Sequence, residues 1–170
     1  MKVCGVVVGK VRDRNSLGQV LVNYPWLGGN PEGYWAPVAT TMSGGTRGSW
    51  FMPEVGDDVL VAFDHGDIEH PYVVGFLWNG QDKPPGLDPV SDADPQRRMV
   101  MSVNHHMIEL YDPDVGGDGE AGYIRLRDHY GNEIVMGNSY ISISGKGNVS
   151  INAPNVTING RVVLPAAGNI

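Results

Sequence analysis

The sequence predicts an all-β protein, on three observations. Apolar residues alternate with polar ones in short bursts and nowhere settle into a sustained helical period. Gly 24 and Pro 12 are high for a packed α/β domain and fit short strands with frequent turns. The last quarter, Tyr140 to Leu164, reads YISISGKGNVSINAPNVTINGRVVL, with apolar pairs set between turn residues. Those pairs are Ile141 and Ile143, Val149 and Ile151, Val156 and Ile158, then Val162 and Leu164. Their first members stand eight, seven and six residues apart, a quasi-repeat that stacks into a β-solenoid or β-prism. A single thin ribbon leaves strand edges with nothing to pair to. The tail is therefore expected to wind with identical tails of other chains rather than stand alone.

In chain order, Gly5 to Asp13 reads as a strand, with Gly18 to Tyr24 as its hairpin partner after an Asn15-Ser16 turn. Pro25 then breaks the ladder, because proline has no N–H to donate. Trp35 to Thr41 is a weaker strand whose Pro37 marks an edge or bulge. Ser43 to Ser49 is a Gly-rich loop. Asp58 to Phe63 is a clear strand, Asp64 to Asp67 a turn, and Tyr72 to Leu77 the next strand. Five strands with one long loop are the content of a small antiparallel barrel such as an OB-fold. Gln81 to Gln96, rich in Pro and Asp, is a linker by composition. Strands resume at 99–103, 107–112, 123–128 and 132–137, with Ile108 and Leu110, Ile124 and Leu126, and Ile134 and Met136 falling on one side. The expected organisation is a barrel over 1–80, a linker over 81–98, a proximal stranded stalk over 99–136 and a β-helical needle over 137–170.

The net charge of −7 and pI near 5.0 argue against general nucleic-acid binding, which needs a basic face. After Glu133 the only charged residues are Lys146 and Arg161. The single Cys4 excludes an intrachain disulfide and fits synthesis in a reducing compartment; it reads as a small apolar residue beside the first strand. No apolar run reaches transmembrane length, and the first residues are too strand-like for a signal peptide. Asn148-Val-Ser and Asn155-Val-Thr match a glycosylation sequon but read as turn asparagines followed by strand residues.

The runs GQVLVNYPWLGG and GSWFMPEVGDDVLVAFDHGDIEHPYVVGFLWNG resemble the OB-fold module of phage baseplate assembly protein V and of VgrG spikes of type VI secretion. The residues that carry the resemblance are Tyr24-Pro25-Trp26, then Pro53, Val55, Gly56 and Asp57 leading into a strand, Gly66-Asp67, Pro71 to Gly75, and Trp78-Asn79-Gly80. The tail segment SINAPNVTING is similar to the β-helical stalk of such spikes. The resemblance implies a homotrimer: three barrels as a collar and three tails intertwined as a triple-stranded β-helix or β-prism. Ile141, Ile143, Val149, Ile151, Val156, Ile158, Val162 and Leu164 would form the needle's core. It further implies a place in a virion tail baseplate or a tail-derived injection particle, where the spike closes the tube and punctures a cell envelope. Its partners would be itself, baseplate hub or tail tube proteins, a small PAAR-like tip protein at the C-terminal end, and the target-cell membrane. With no room for the hub domains of full-length VgrG proteins and no lysozyme-like insert, the chain reads as the short, phage-like form.

Enzyme chemistry finds little footing. His105 and His106 are adjacent, so on a strand they face opposite sides and do not chelate together within one chain. Asp112, Asp114, Asp118 and Glu120 form an acidic loop without EF-hand spacing. Ser43 to Gly48 lacks the Gly-Lys-Ser/Thr and the helix of a phosphate cradle. Trp26, Trp35, Trp50 and Trp78 lack the basic residues of a nucleic-acid stacking platform and are expected in barrel core or interface packing. No catalytic residue, metal or cofactor is expected. Two other readings are an OB-fold nucleic-acid binder with a β-rich oligomerisation tail, and a β-solenoid glycan-binding protein or adhesin. The charge disfavours the first; the absence of Asp and Glu after Glu133 removes the carboxylate pair that a solenoid polysaccharide enzyme needs.

Overall fold

A computed structural model describes residues 2–28, 33–85, 95–113 and 121–163. The chain folds as two compact units, Met1–Pro84 and Pro85–Ile170. In the first lie strands β1 (Val6–Arg14), β2 (Gln19–Asn23), β3 (Trp35–Pro37), β4 (Ser43–Gly44), β5 (Arg47–Gly48), β6 (Asp58–Phe63) and β7 (Pro71–Leu77). The second holds β8 (Arg97–Met101), β9 (Met107–Tyr111), β10 (Tyr123–Arg127), β11 (Glu133–Met136), β12 (Ile141–Ser144), β13 (Thr157–Ile158) and β14 (Arg161–Val162).

The first unit is a curled five-stranded sheet in the order β3-β2-β1-β6-β7. Its two ends meet: Val38 bridges Val73 in parallel, and the Ala39 N–H donates to the Val73 carbonyl at 2.8 Å. This order, with one parallel contact among antiparallel pairs, is consistent with the OB-fold. Period-two alternation points Val11, Val20, Val22, Ala36, Val59, Val61 and Val73 inward, and Tyr24 and Phe63 fill one end with rings 5.6 Å apart. The curl is tight. A Cβ on Gly9 would lie 2.3 Å from Val22 Cγ1, so only glycine lets β1 pass the facing strand there.

That narrow interior corrects the expectation of tryptophan in the barrel core. Trp26, Trp35, Trp50 and Trp78 are all exposed, because a five-stranded barrel of valines has no volume for an indole. The Ser43–Ser49 loop carries the small β4–β5 hairpin. With Leu17, Met42, Phe51 and Trp50 laid over Gly18, it lines an open groove of about 540 Å³.

The second unit is a five-stranded antiparallel meander, order β12-β11-β10-β9-β8. The linker ends at Gln96, and β8 begins two residues before the predicted strand. β12, expected to open the needle, instead pairs along β11 as the sheet's fifth strand. No strand forms at Val149–Ile151. β13 and β14 make a hairpin on Asn159 and Gly160, both at positive φ, the arrangement a two-residue primed turn requires.

The Tyr24 hydroxyl is buried without a hydrogen-bond partner, and burial pushes its pKa from 10.0 to about 12. Unfolding frees the phenol to ionise, so this contribution to stability is full below pH 10 and is lost as pH rises from 10 to 12. Tyr24→Phe removes an unpaired polar atom. It should leave the melting temperature at pH 7 unchanged or raised and flatten its fall between pH 10 and 12. A drop of more than ~1 kcal/mol at pH 7 would mean the hydroxyl has a partner.

Candidate functional site

The residues of the second unit assemble a surface rather than a pocket. Register across β8 to β12 stacks Val100 beside Ile108, Ile108 beside Leu126, Leu126 beside Ile134, and Ile134 beside Ile143. A second row runs through Leu110, Ile124, Met136 and Ile141. Every one of these side chains is exposed, from 39 % at Ile134 to 72 % at Ile141. Among the described residues, the charge on this face is confined to the β8 edge, where Arg98 pairs with Asp112 at 2.9 Å. Contiguous apolar surface of this kind is unusual in a protein that works alone.

The opposite face differs. It carries Arg97, Met99, Glu109, Tyr111, Tyr123, Arg125 and Glu133, with Val135 and Glu109 the buried members. Among the described residues of this unit no other side chain is buried, so the sheet has no core of its own. A one-layer sheet in water is marginal. Covering the aliphatic face would supply roughly 1 kcal/mol for each half-exposed side chain, on the order of 10 kcal/mol per chain.

The expected needle residues lie mostly on open surface. Ile141 and Ile143 extend the aliphatic face from β12. Val149 and Ile151 are exposed outside strands, Val156 is half-buried, and Ile158 and Val162 are exposed on the hairpin. Ile158 pairs with Arg161 and Thr157 with Val162, so Ile158 and Val162 stand on opposite faces of that hairpin. Leu164 lies outside the described residues.

The signature residues of the barrel shape turns. Tyr24 closes the core, and Pro25 and Trp26 form a single 3-10 turn. Pro53 and Pro71 are buried, while Val55 is exposed at the tip of the turn before β6. There Gly56 takes a φ of 105°, and the Asp57 carboxylate accepts the Glu54 N–H at 2.8 Å. Gly66 is likewise left-handed, and Asp67 accepts the Glu69 N–H, a bond that holds its carboxyl below the usual range. Gly75 sits opposite Leu60 at the β6–β7 bulge. Asn79 knots the chain leaving β7: it donates to Asp58 and Asp82 at 2.6 and 2.8 Å and accepts the Gln81 and Asp82 N–H groups at 2.7 Å each, beside Gly80.

The family model described as the type VI secretion system/phage-baseplate injector OB domain matches residues 3–78. Over those residues the chain is similar to the OB domain of injector spikes. It is similar to the type VI secretion system spike protein VgrG3 of Vibrio cholerae serotype O1, 25 % identical over 119 residues, which is 68 % of this chain and 11 % of that protein. It is also similar to the actin cross-linking toxin VgrG1 of a classical strain of the same species, 28 % identical over 116 residues, 66 % of this chain and 10 % of the other. The chain thus spans about a tenth of the length of these VgrG proteins.

Among the described residues, chemistry-bearing side chains do not converge. His65 and His105 occupy turns at positive φ, His70 lies 3.3 Å from Asp67, and His106 accepts the His129 N–H. Among the described residues no group of three or more His, Cys, Asp or Glu is placed to hold a metal. Asp114, Asp118 and Glu120 fall outside those residues. The sequence reading missed the apolar outer side of β7, where Tyr72, Val74 and Phe76 are exposed, and the buried Glu109. Alternation alone could have flagged the first, since PYVVGFL is apolar at both phases.

Asn79→Ala should cost about 1–2 kcal/mol in thermal or denaturant unfolding while leaving the native mass unchanged. An unchanged melting curve would show that the four bonds at Asn79 are replaced by water without loss.

Proposed function

We propose that this chain is the central spike of a contractile tail or related injection baseplate, acting mechanically and not as an enzyme. Three copies would pack their β8–β12 sheets with the aliphatic faces inward, forming a stalk below a collar of three barrels. Ile141 and Ile143 would carry that core toward a needle made of the tails. The spike would close the end of the tail tube and pierce the target envelope when the sheath contracts. Hub or tube proteins would meet the collar, and a small PAAR-like protein would cap the C-terminal end.

The observation that carries this reading is the two-row aliphatic face on a sheet without a core. The injector OB domain and the VgrG relatives supply its setting. An edge-free assembly of sheets also gives the stiffness a puncturing device needs. The net charge of −7 weighs against the barrel acting on nucleic acid.

Sedimentation or native mass spectrometry of the full chain should give three times 18.3 kDa. Leu126→Glu, which places a carboxylate in the centre of the covered face, should dissociate that species and lower Tm by ~5 °C or more. A stable monomer, or a Leu126→Glu protein with unaltered mass and melting, would overturn the proposal.

A further inference from the structure

Nothing in a stalk wall requires a buried carboxylate, yet Glu109 is 2 % exposed at the centre of the sheet face opposite the aliphatic one. Arg125 stands beside it in register and approaches to 3.4 Å; Arg97 lies at 3.7 Å, and the Tyr123 hydroxyl donates at 3.3 Å. Both arginines also lie over tyrosine rings, Arg97 over Tyr111 at 5.7 Å and Arg125 over Tyr123 at 4.5 Å, and the two rings stand 5.3 Å apart. Two stacked Arg–Tyr pairs thus roof one carboxylate. The Arg125 Nε is buried without a hydrogen bond, with Glu133 3.8 Å away.

Remove these three charges and the middle of the face is Met99, Met101, Met107, Tyr111, Tyr123 and Val135, with Arg127 and Glu133 left in register with each other beyond Met107. That face would itself be apolar enough to associate. A sheet one layer thick would then offer two competing sides to other copies, and hydrophobic alternation would no longer determine which one turns inward. Glu109 is neutralised within its own chain, so the cluster is tolerated while the face meets water. The arginines keep part of their hydration, at 40 % and 28 % side-chain exposure. Docking another copy there would strip that hydration without new partners, and a desolvated ion cluster is a strong penalty against the wrong docking mode.

We propose that Arg97, Glu109 and Arg125 form a face-selecting device, which keeps this side of the sheet outward and restricts association between copies to the aliphatic side. The inference rests on the reading of the aliphatic face as the surface between copies. It makes the cluster a determinant of how the chain assembles, beyond its part in holding the sheet.

The test compares wild type, L126E, R97L/E109L/R125L and the combination of all four substitutions by sedimentation velocity, with circular dichroism to establish folding. Wild type should run as one species, and L126E should lose it. The triple variant should shift to a mixture of larger species, and the combined variant should regain the association that L126E alone had lost. If L126E keeps the wild-type mass, the reading of the interface fails. If L126E dissociates but the triple variant stays a single species of wild-type mass, and the combined one stays dissociated, face selection fails. Should the leucine variant not fold, R97M/E109Q/R125M is read in the same way, since it keeps the stem lengths and the hydrogen bond to Tyr123. If neither folds, the cluster holds the fold rather than choosing a face, and the proposal falls.

Discussion

Side chains along a β-strand alternate between two faces, so a sheet one layer thick can shelter neither face with the other. The β8–β12 meander lives under that constraint. Its strands satisfy one another's backbone groups, but among the described residues only Glu109 and Val135 are buried. Beyond strand pairing and the Glu109 cluster the unit buries little, and its two faces differ sharply in what they accept. One is a double row of aliphatic side chains with the Arg98–Asp112 pair at the rim. The other places an ion cluster where a second hydrophobic layer would otherwise sit. The asymmetry gives a flat sheet an inside and an outside.

The barrel meets the same demand differently. By curling until Val38 reaches Val73 it turns one face onto itself and fills the interior with valine, Tyr24 and Phe63. Glycine at position 9 permits the curl, and the carboxylates and amide of Asp57, Asp67 and Asn79 fix the turns that join the strands. The residues that carry the likeness to the injector OB domain are therefore residues of shape. They build a closed module.

Much of this was legible in the sequence because alternation is a direct image of a two-faced strand. β6, β7, β9, β10 and β11 lie within a residue or two of their predicted spans, and the shared side of Ile108, Leu110, Ile124, Leu126, Ile134 and Met136 was read correctly from phase alone. Phase does not report which neighbour a strand pairs with. That is why β12 joined the proximal sheet, and why Asn159-Gly160 made a hairpin where a succession of rungs was expected. Nor does it report volume, so four tryptophans expected in core or interface packing proved to lie outside a valine-filled barrel. The Glu109 cluster was hidden for a different reason. A glutamate and an arginine at the centres of MIELY and YIRLR look like ordinary outward charges until the strands are set in register.

The central claim is that the aliphatic face of β8–β12 is covered in the native protein while the Glu109 face is not. Side-chain footprinting with a short-lived carbene or hydroxyl label, read residue by residue on the undisturbed full-length protein, addresses it directly. The account predicts that Ile108, Ile124, Leu126 and Ile134 are strongly protected under native conditions and become labelled when the protein is diluted below its assembly threshold. Met101, Met107 and Tyr111 should label at both concentrations. Equal labelling of the two faces at every concentration would contradict it.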